Sequence, residues 1–148
     1  MSKSKTAVYQ MYRDGWRDYF ELHVSPTQKT MLNHAEKIYA EAKHELPDNW
    51  SDTLGLVLPM TRATGGLNDG LFAYCFLNME HLGVGIVSHE CLHVSMAHER
   101  FVLQFKMEYG DGIQSLKDEE RLAHFLTQTV SGVYNVLYDN KHIKAGTR

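Results

Sequence analysis

The sequence predicts a single α+β domain spanning residues 1–148, mostly helical, with a small β-sheet or hairpin ahead of its longest helix. Three observations lead there. Four segments carry apolar residues at helical spacing. Two short runs rich in β-favouring residues, LGLVLPM and LFAYCFLNM, lie between the second and third of those segments. The stretch joining them, TRATGGLNDG, is full of turn formers.

In the first segment Val8, Met11, Tyr12, Trp16, Tyr19 and Phe20 recur at helical spacing with Lys, Arg and Asp between them, which predicts an amphipathic helix over residues 4 to 22. A second helix is expected to open with Ser25 as N-cap and Pro26 at its first position, and to stop before Pro47. Its stripe of Met31, Ala35, Ile38, Tyr39 and Ala42 reads as core contact. Residues 54 to 60 and 71 to 79 follow as a hairpin or two neighbouring strands. A long helix is expected over about residues 82 to 106, ended by the two glycines of EYGDGIQ. A last one runs from about Asp118 to Tyr138, with Ser115 as N-cap and acidic residues in its first turn. The expected order is α, α, β, β, α, α.

Composition narrows the function. With 43% apolar residues, 22% charged residues and three prolines, the chain has no signature of disorder or low complexity. A net charge of -3 argues against non-specific nucleic-acid binding, which needs a basic face to displace counterions, so no nucleic-acid partner is expected. No apolar run approaches the ~18 residues of a membrane span, and MSKSKTAVYQMYRDGW has a basic start without an apolar signal core. The expectation is a cytoplasmic protein with no membrane partner. Cys75 and Cys91 lack the spacing of a disulfide framework and are expected as buried thiols.

The chemistry concentrates in GIVSHECLHVSMAHER, where His89, Glu90 and His93 spell H-E-x-x-H. Residues four apart share a helix face with Cβ atoms about 5–6 Å apart, so both imidazoles can reach one ion. Glu90 is offset by about 100°, which puts its carboxylate beside that ion, where it can take a proton from water. Such a motif arises by chance in roughly one chain in thirty of this histidine content, so context must decide. The context is apolar: Val84, Ile86, Val87, Leu92 and Val94 flank the motif, and burying two histidines and a glutamate without partners would cost several kcal/mol.

A catalytic zinc takes three protein ligands. His98 is a candidate, but the pattern that recruits a third histidine needs a glycine at 96 and a histidine at 99; Met96 and Glu99 stand there, and His98 reads as a helix-surface residue. The other source is DEERLAHFLTQTV, which offers Glu119 and Glu120. Leu122, Phe125, Leu126, Thr129, Val130, Val133 and Leu137 form one stripe, and Glu119 falls at its edge while Glu120 points further round. Helical phase therefore favours Glu119.

SHECLH followed by EERLAHFL resembles the H-E-x-x-H plus downstream glutamate pattern of gluzincin-like zinc metallopeptidases, and in size and layout the chain looks like ImmA/IrrE-type proteins and small zincin-like proteins of phage and mobile elements. The resemblance implies a zincin-like minimal domain in which His89, His93 and Glu119 bind Zn2+ and Glu90 is the general base. Phe125 and Leu126 then take the apolar positions after the acidic ligand. The implied activity is hydrolysis of peptide bonds in a protein or peptide substrate. An oxyanion-stabilising residue is also implied, with Tyr109, His124 and Tyr134 as candidates, and the strand at 71 to 79 could be the sheet edge that pairs with an extended peptide. A second class remains open: a zinc-stabilised regulatory or binding protein without hydrolytic activity, which would have no need of a base at position 90.

Overall fold

The computed structural model describes residues 5–12, 18–60, 70–102 and 116–143. Among them, four strands, β1 (Ala7–Tyr12), β2 (Tyr19–Ser25), β3 (Leu56–Pro59) and β4 (Leu71–Asn78), form one mixed sheet in the order β1-β2-β4-β3. Three helices cover it, α1 (Gln28–Glu41), α2 (Val84–Val102) and α3 (Leu116–Asp139). The α+β class, the adjacent strands ahead of the H-E-x-x-H helix and the two final helices are as expected. The stop in EYGDGIQ and the cap at Ser115 lie outside the described residues.

The N-terminal expectation is corrected. Residues placed in a helix over 4 to 22 supply β1 and β2, an antiparallel pair that brings Ala7 opposite Val24 and Tyr12 opposite Tyr19. The physical reason is the partner: β2 lies parallel to β4, Leu22 opposite Cys75, and a strand at that position buries Phe20, Leu22 and Val24 on one face. Isolated periodicity cannot anticipate such long-range pairing. A second correction concerns β4, expected as a possible edge. It is interior, flanked by β2 and β3, and seven of its eight positions are buried. Among the described residues, the edges of the sheet are β1 and β3.

Alternation along the strands sorts the core into two halves. On one face Leu22, Val24, Cys75 and Leu77 meet Val87, Cys91 and Val94 of α2 and Val133 and Leu137 of α3. Each fully buried side chain of this size contributes roughly 1.5–3 kcal/mol of apolar burial. On the other face Leu56, Leu58 and Phe76 meet Met31, Ala35 and Tyr39 of α1, the stripe anticipated from sequence. β1 is covered on one side only, and its residues alternate between half-buried and exposed.

The helix ends have identifiable causes. The N-cap of α1 is Thr27, whose hydroxyl accepts from the Thr30 N–H at 3.1 Å, while Ser25, expected as the cap, ends β2. At its C-terminus Lys43 turns left-handed (φ 58°), and the His44 N–H donates to the Tyr39 carbonyl at 2.9 Å. α3 stops the same way, with Lys141 at φ 60° and the His142 N–H on Leu137 O at 2.8 Å. Tyr9 Oη, 2.6 Å from His142 Nε2, then ties β1 to that end.

Candidate metal centre

α2 lies with Val87, Cys91 and Val94 against the sheet, which turns His89 and His93 outward together. Their Nε2 atoms are 3.3 Å apart, with the rings at 71°. That separation is long for an N–H···N hydrogen bond. It is the separation that two nitrogens on one tetrahedral zinc require, about 3.3–3.4 Å for bonds of about 2.0–2.1 Å. His23 and His34 provide the contrast within this molecule: their Nδ1 and Nε2 atoms lie 2.7 Å apart, a hydrogen bond that shares one proton. Ligand atoms of His89, Glu90 and His93 all fall within 4.8 Å of one another, which makes a group that could hold a metal ion.

Glu90 differs from the two histidines in its surroundings. It is 6% exposed and turned inward toward the start of β3. Burial pushes its carboxyl above the usual range, and His89 pulls it partly back. A carboxylate in that position is costly unless something cationic or protic meets it. Its charge in turn reaches Tyr39, held at about 12 mainly by burial, and the Cys75 thiol, pushed well up by burial. Burial, His89 and Arg100 hold His93 below the usual imidazole range, which keeps it in the neutral form a metal needs.

Glu119 and Glu120 are exposed near the start of α3 and do not belong to the group formed by His89, Glu90 and His93. Two residues beyond Glu119, Arg121 reaches back to α2 in a forked ion pair, with Nε 3.0 Å from Glu99 Oε1 and Nη2 2.9 Å from Oε2. Of the oxyanion candidates, His124 is exposed beside Gln128, Tyr134 packs partly buried against the core, and Tyr109 lies outside the described residues.

His98 is corrected from surface to core: it is 3% exposed, its ring stacked on Phe125 at 4.0 Å and set edge-on to Phe72. Its phase explains this, since Cys91, Val94, His98 and Phe101 repeat at three and four residues along the buried face of α2. A cavity of about 420 Å³ opens there, lined by Phe20, Phe72, His98 and Phe125 among others, and none of His89, Glu90 or His93 lines it.

Sequence reasoning missed two features. The first is the wall beside Glu90 at Gly55; a glycine at a strand's entry is the available signal, because it often marks close approach of another group. The second is the chain Glu21–His23–His34, in which His23 Nε2 lies 2.9 Å from Glu21 Oε1. No sequence spacing announces it, since β2 and α1 each supply part.

No protein-family model, curated protein or solved structure matches this chain.

Proposed function

We propose that the protein is a zinc-dependent metallopeptidase that hydrolyses peptide bonds in a protein substrate. The observation that carries this reading is the 3.3 Å spacing of the His89 and His93 nitrogens, with the largely buried Glu90 beside them on the same helix. Both features fit a zinc ion: two imidazoles at tetrahedral spacing, and an acid held off the ligand pair.

A zinc ion held by His89 and His93 would polarise a scissile carbonyl and acidify water at the site. Glu90 then takes the proton of the attacking water and returns it to the leaving amine, so it ends the cycle as it began. Burial suits it to the task, because a raised carboxyl affinity for the proton brings it nearer the working pH. The exposed Leu92 and Met96 flank His93 and offer apolar contact to a protein chain. Glu119 is the proposed third ligand from the resemblance to gluzincin-like enzymes. A zinc site that served folding alone would gain nothing from a buried base at position 90.

The test combines metal content with hydrolysis of an unfolded protein such as casein. Native protein and Glu90→Gln, purified without chelator, should each carry about one zinc per chain, and His89→Ala/His93→Ala none. Native protein should cut casein, and Glu90→Gln should be slower by roughly 10²–10⁴-fold. Zinc uptake without any cleavage would leave the regulatory reading; no uptake would end both.

A further inference from the structure

We propose that Gly55 is a positioning residue for Glu90: the side chain it lacks is the slot that seats the carboxylate between α2 and the entry of β3. This rests on the reading of Glu90 as the base. A Cβ at position 55 would stand 2.8 Å from Glu90 Cγ, 2.9 Å from Oε2 and 3.1 Å from Cδ. Non-bonded carbons prefer about 3.5–4.0 Å, so something must give.

The strand is not free to move. The Thr53 carbonyl accepts from Gln28 Nε2 at 3.0 Å, and the Leu54 carbonyl accepts from Asn78 Nδ2 at 2.9 Å. Gln28 opens α1, Asn78 is the fully buried end of β4, and Leu56 is already in register with Phe76. Two side-chain anchors and a strand pair therefore hold the backbone on both sides of position 55. Backbone conformation does not explain the glycine either: Gly70 has positive φ, and Gly55 does not. What position 55 requires is space.

Glu90 is thus the group that yields to any larger residue. On a helix its χ1 has two usable wells, so displacement means leaving the present one, a change larger than the ~1 Å that spoils catalytic alignment. The contact at Cγ makes this unavoidable, because swinging the carboxylate tip alone does not relieve it.

The experiment is a cycle of native protein, Gly55→Ala, Glu90→Ala and the double variant, read by unfolding midpoint and by the visible spectrum after cobalt(II) is added. Gly55→Ala should lower the midpoint and alter the cobalt spectrum in the native background. In the Glu90→Ala background it should do neither. If Gly55→Ala alone does not fold, recovery of a folded double variant supports the same conclusion. An equal loss in both backgrounds, or a double variant that also fails to fold, overturns the slot. A midpoint effect that depends on Glu90 with an unchanged cobalt spectrum overturns the positioning role and leaves a packing contact. Failure of the native protein to take up cobalt refutes the metal reading of the site, and the midpoint cycle still decides whether Gly55 seats Glu90.

Discussion

Asn78→Ala should be among the most damaging single changes away from the His89–Glu90–His93 group. The Oδ1 of Asn78 accepts from the N–H groups of Glu80 and His81, each at 3.1 Å, and its Nδ2 donates to the Leu54 carbonyl at 2.9 Å. The side chain is fully buried and also touches Met31. Losing a cap of this kind costs about 1 kcal/mol. Stranding a buried carbonyl adds about 1–3 kcal/mol, and the vacated volume adds ~1 kcal/mol. The sum, about 3–5 kcal/mol, corresponds to a midpoint lower by about 9–15 °C for a chain of this size.

Thermal and urea unfolding followed by circular dichroism would measure it. A loss under ~1 kcal/mol would refute the accounting. Asn78→Asp separates the two halves: it keeps the acceptor for Glu80 and His81 but sets a carboxylate against the Leu54 carbonyl. Its folded pKa must then lie above the unfolded value of about 3.9, so the folded state holds the extra proton between the two. Relative to the native protein, stability of that variant should therefore fall as pH rises from about 4 towards neutrality.

Three further outcomes are expected. Arg121→Ala should cost about 1–3 kcal/mol, because Glu99 is 6% exposed and would lose both arms of the fork; Arg121→Lys should recover only part of that, and a chemical-denaturation series that finds the two variants equal would contradict it. Burial holds His23 and His34 below the usual imidazole range, with Glu21 partly opposing at His23 and with His23 and Lys37 lowering and Glu41 raising His34. The folded state then binds fewer protons than the unfolded chain, so their contribution is full above pH ~6.5 and lost as pH falls through the folded values; His34→Gln should flatten the stability profile between pH 7.5 and 5, and an unchanged slope would count against the pair. Cys75 and Cys91 are buried and free, with burial raising Cys75 well above the ordinary thiol range and Cys91 to about 12, so a thiol reagent at pH 8 should react with neither in the native protein and with both in denaturant.

How much of this could be read in the sequence differs by segment. The motif on α2 was legible because both the ligand spacing and the apolar bed under it follow from one helical period. β3 and β4 were legible as neighbours because a turn-rich stretch separates two β-favouring runs. The β1–β2 pair was not, because Val8, Met11, Tyr12, Trp16, Tyr19 and Phe20 fit a helical period while the inward residues of β1 are Ala7, Tyr9 and Met11. Asp14-Gly15 was the contrary signal, a dipeptide favoured in tight connections. His98 was misread from its neighbours' chemistry when its phase with Cys91 and Val94 was the better guide. The slot at Gly55 depends on a strand entry meeting a helix 35 residues later, and no local pattern encodes that.

The parallel pairing of β2 with β4 has a kinetic consequence. α1 and β3 intervene in sequence, so the seam that joins Leu22 to Cys75 can close only after a long loop is brought round. Closure of such a loop loses chain entropy before the contacts that reward it have formed, which makes the sheet centre a late event in folding. α2 can gain transient helicity earlier, but its buried face has no bed and Glu90 has no wall until that seam and the neighbouring edge are in place. The histidine pair is therefore not a portable cassette. If the proposed zinc site is real, an excised α2 peptide of 19 residues should hold metal only weakly, and metal affinity during refolding should appear with sheet closure instead of with helix formation.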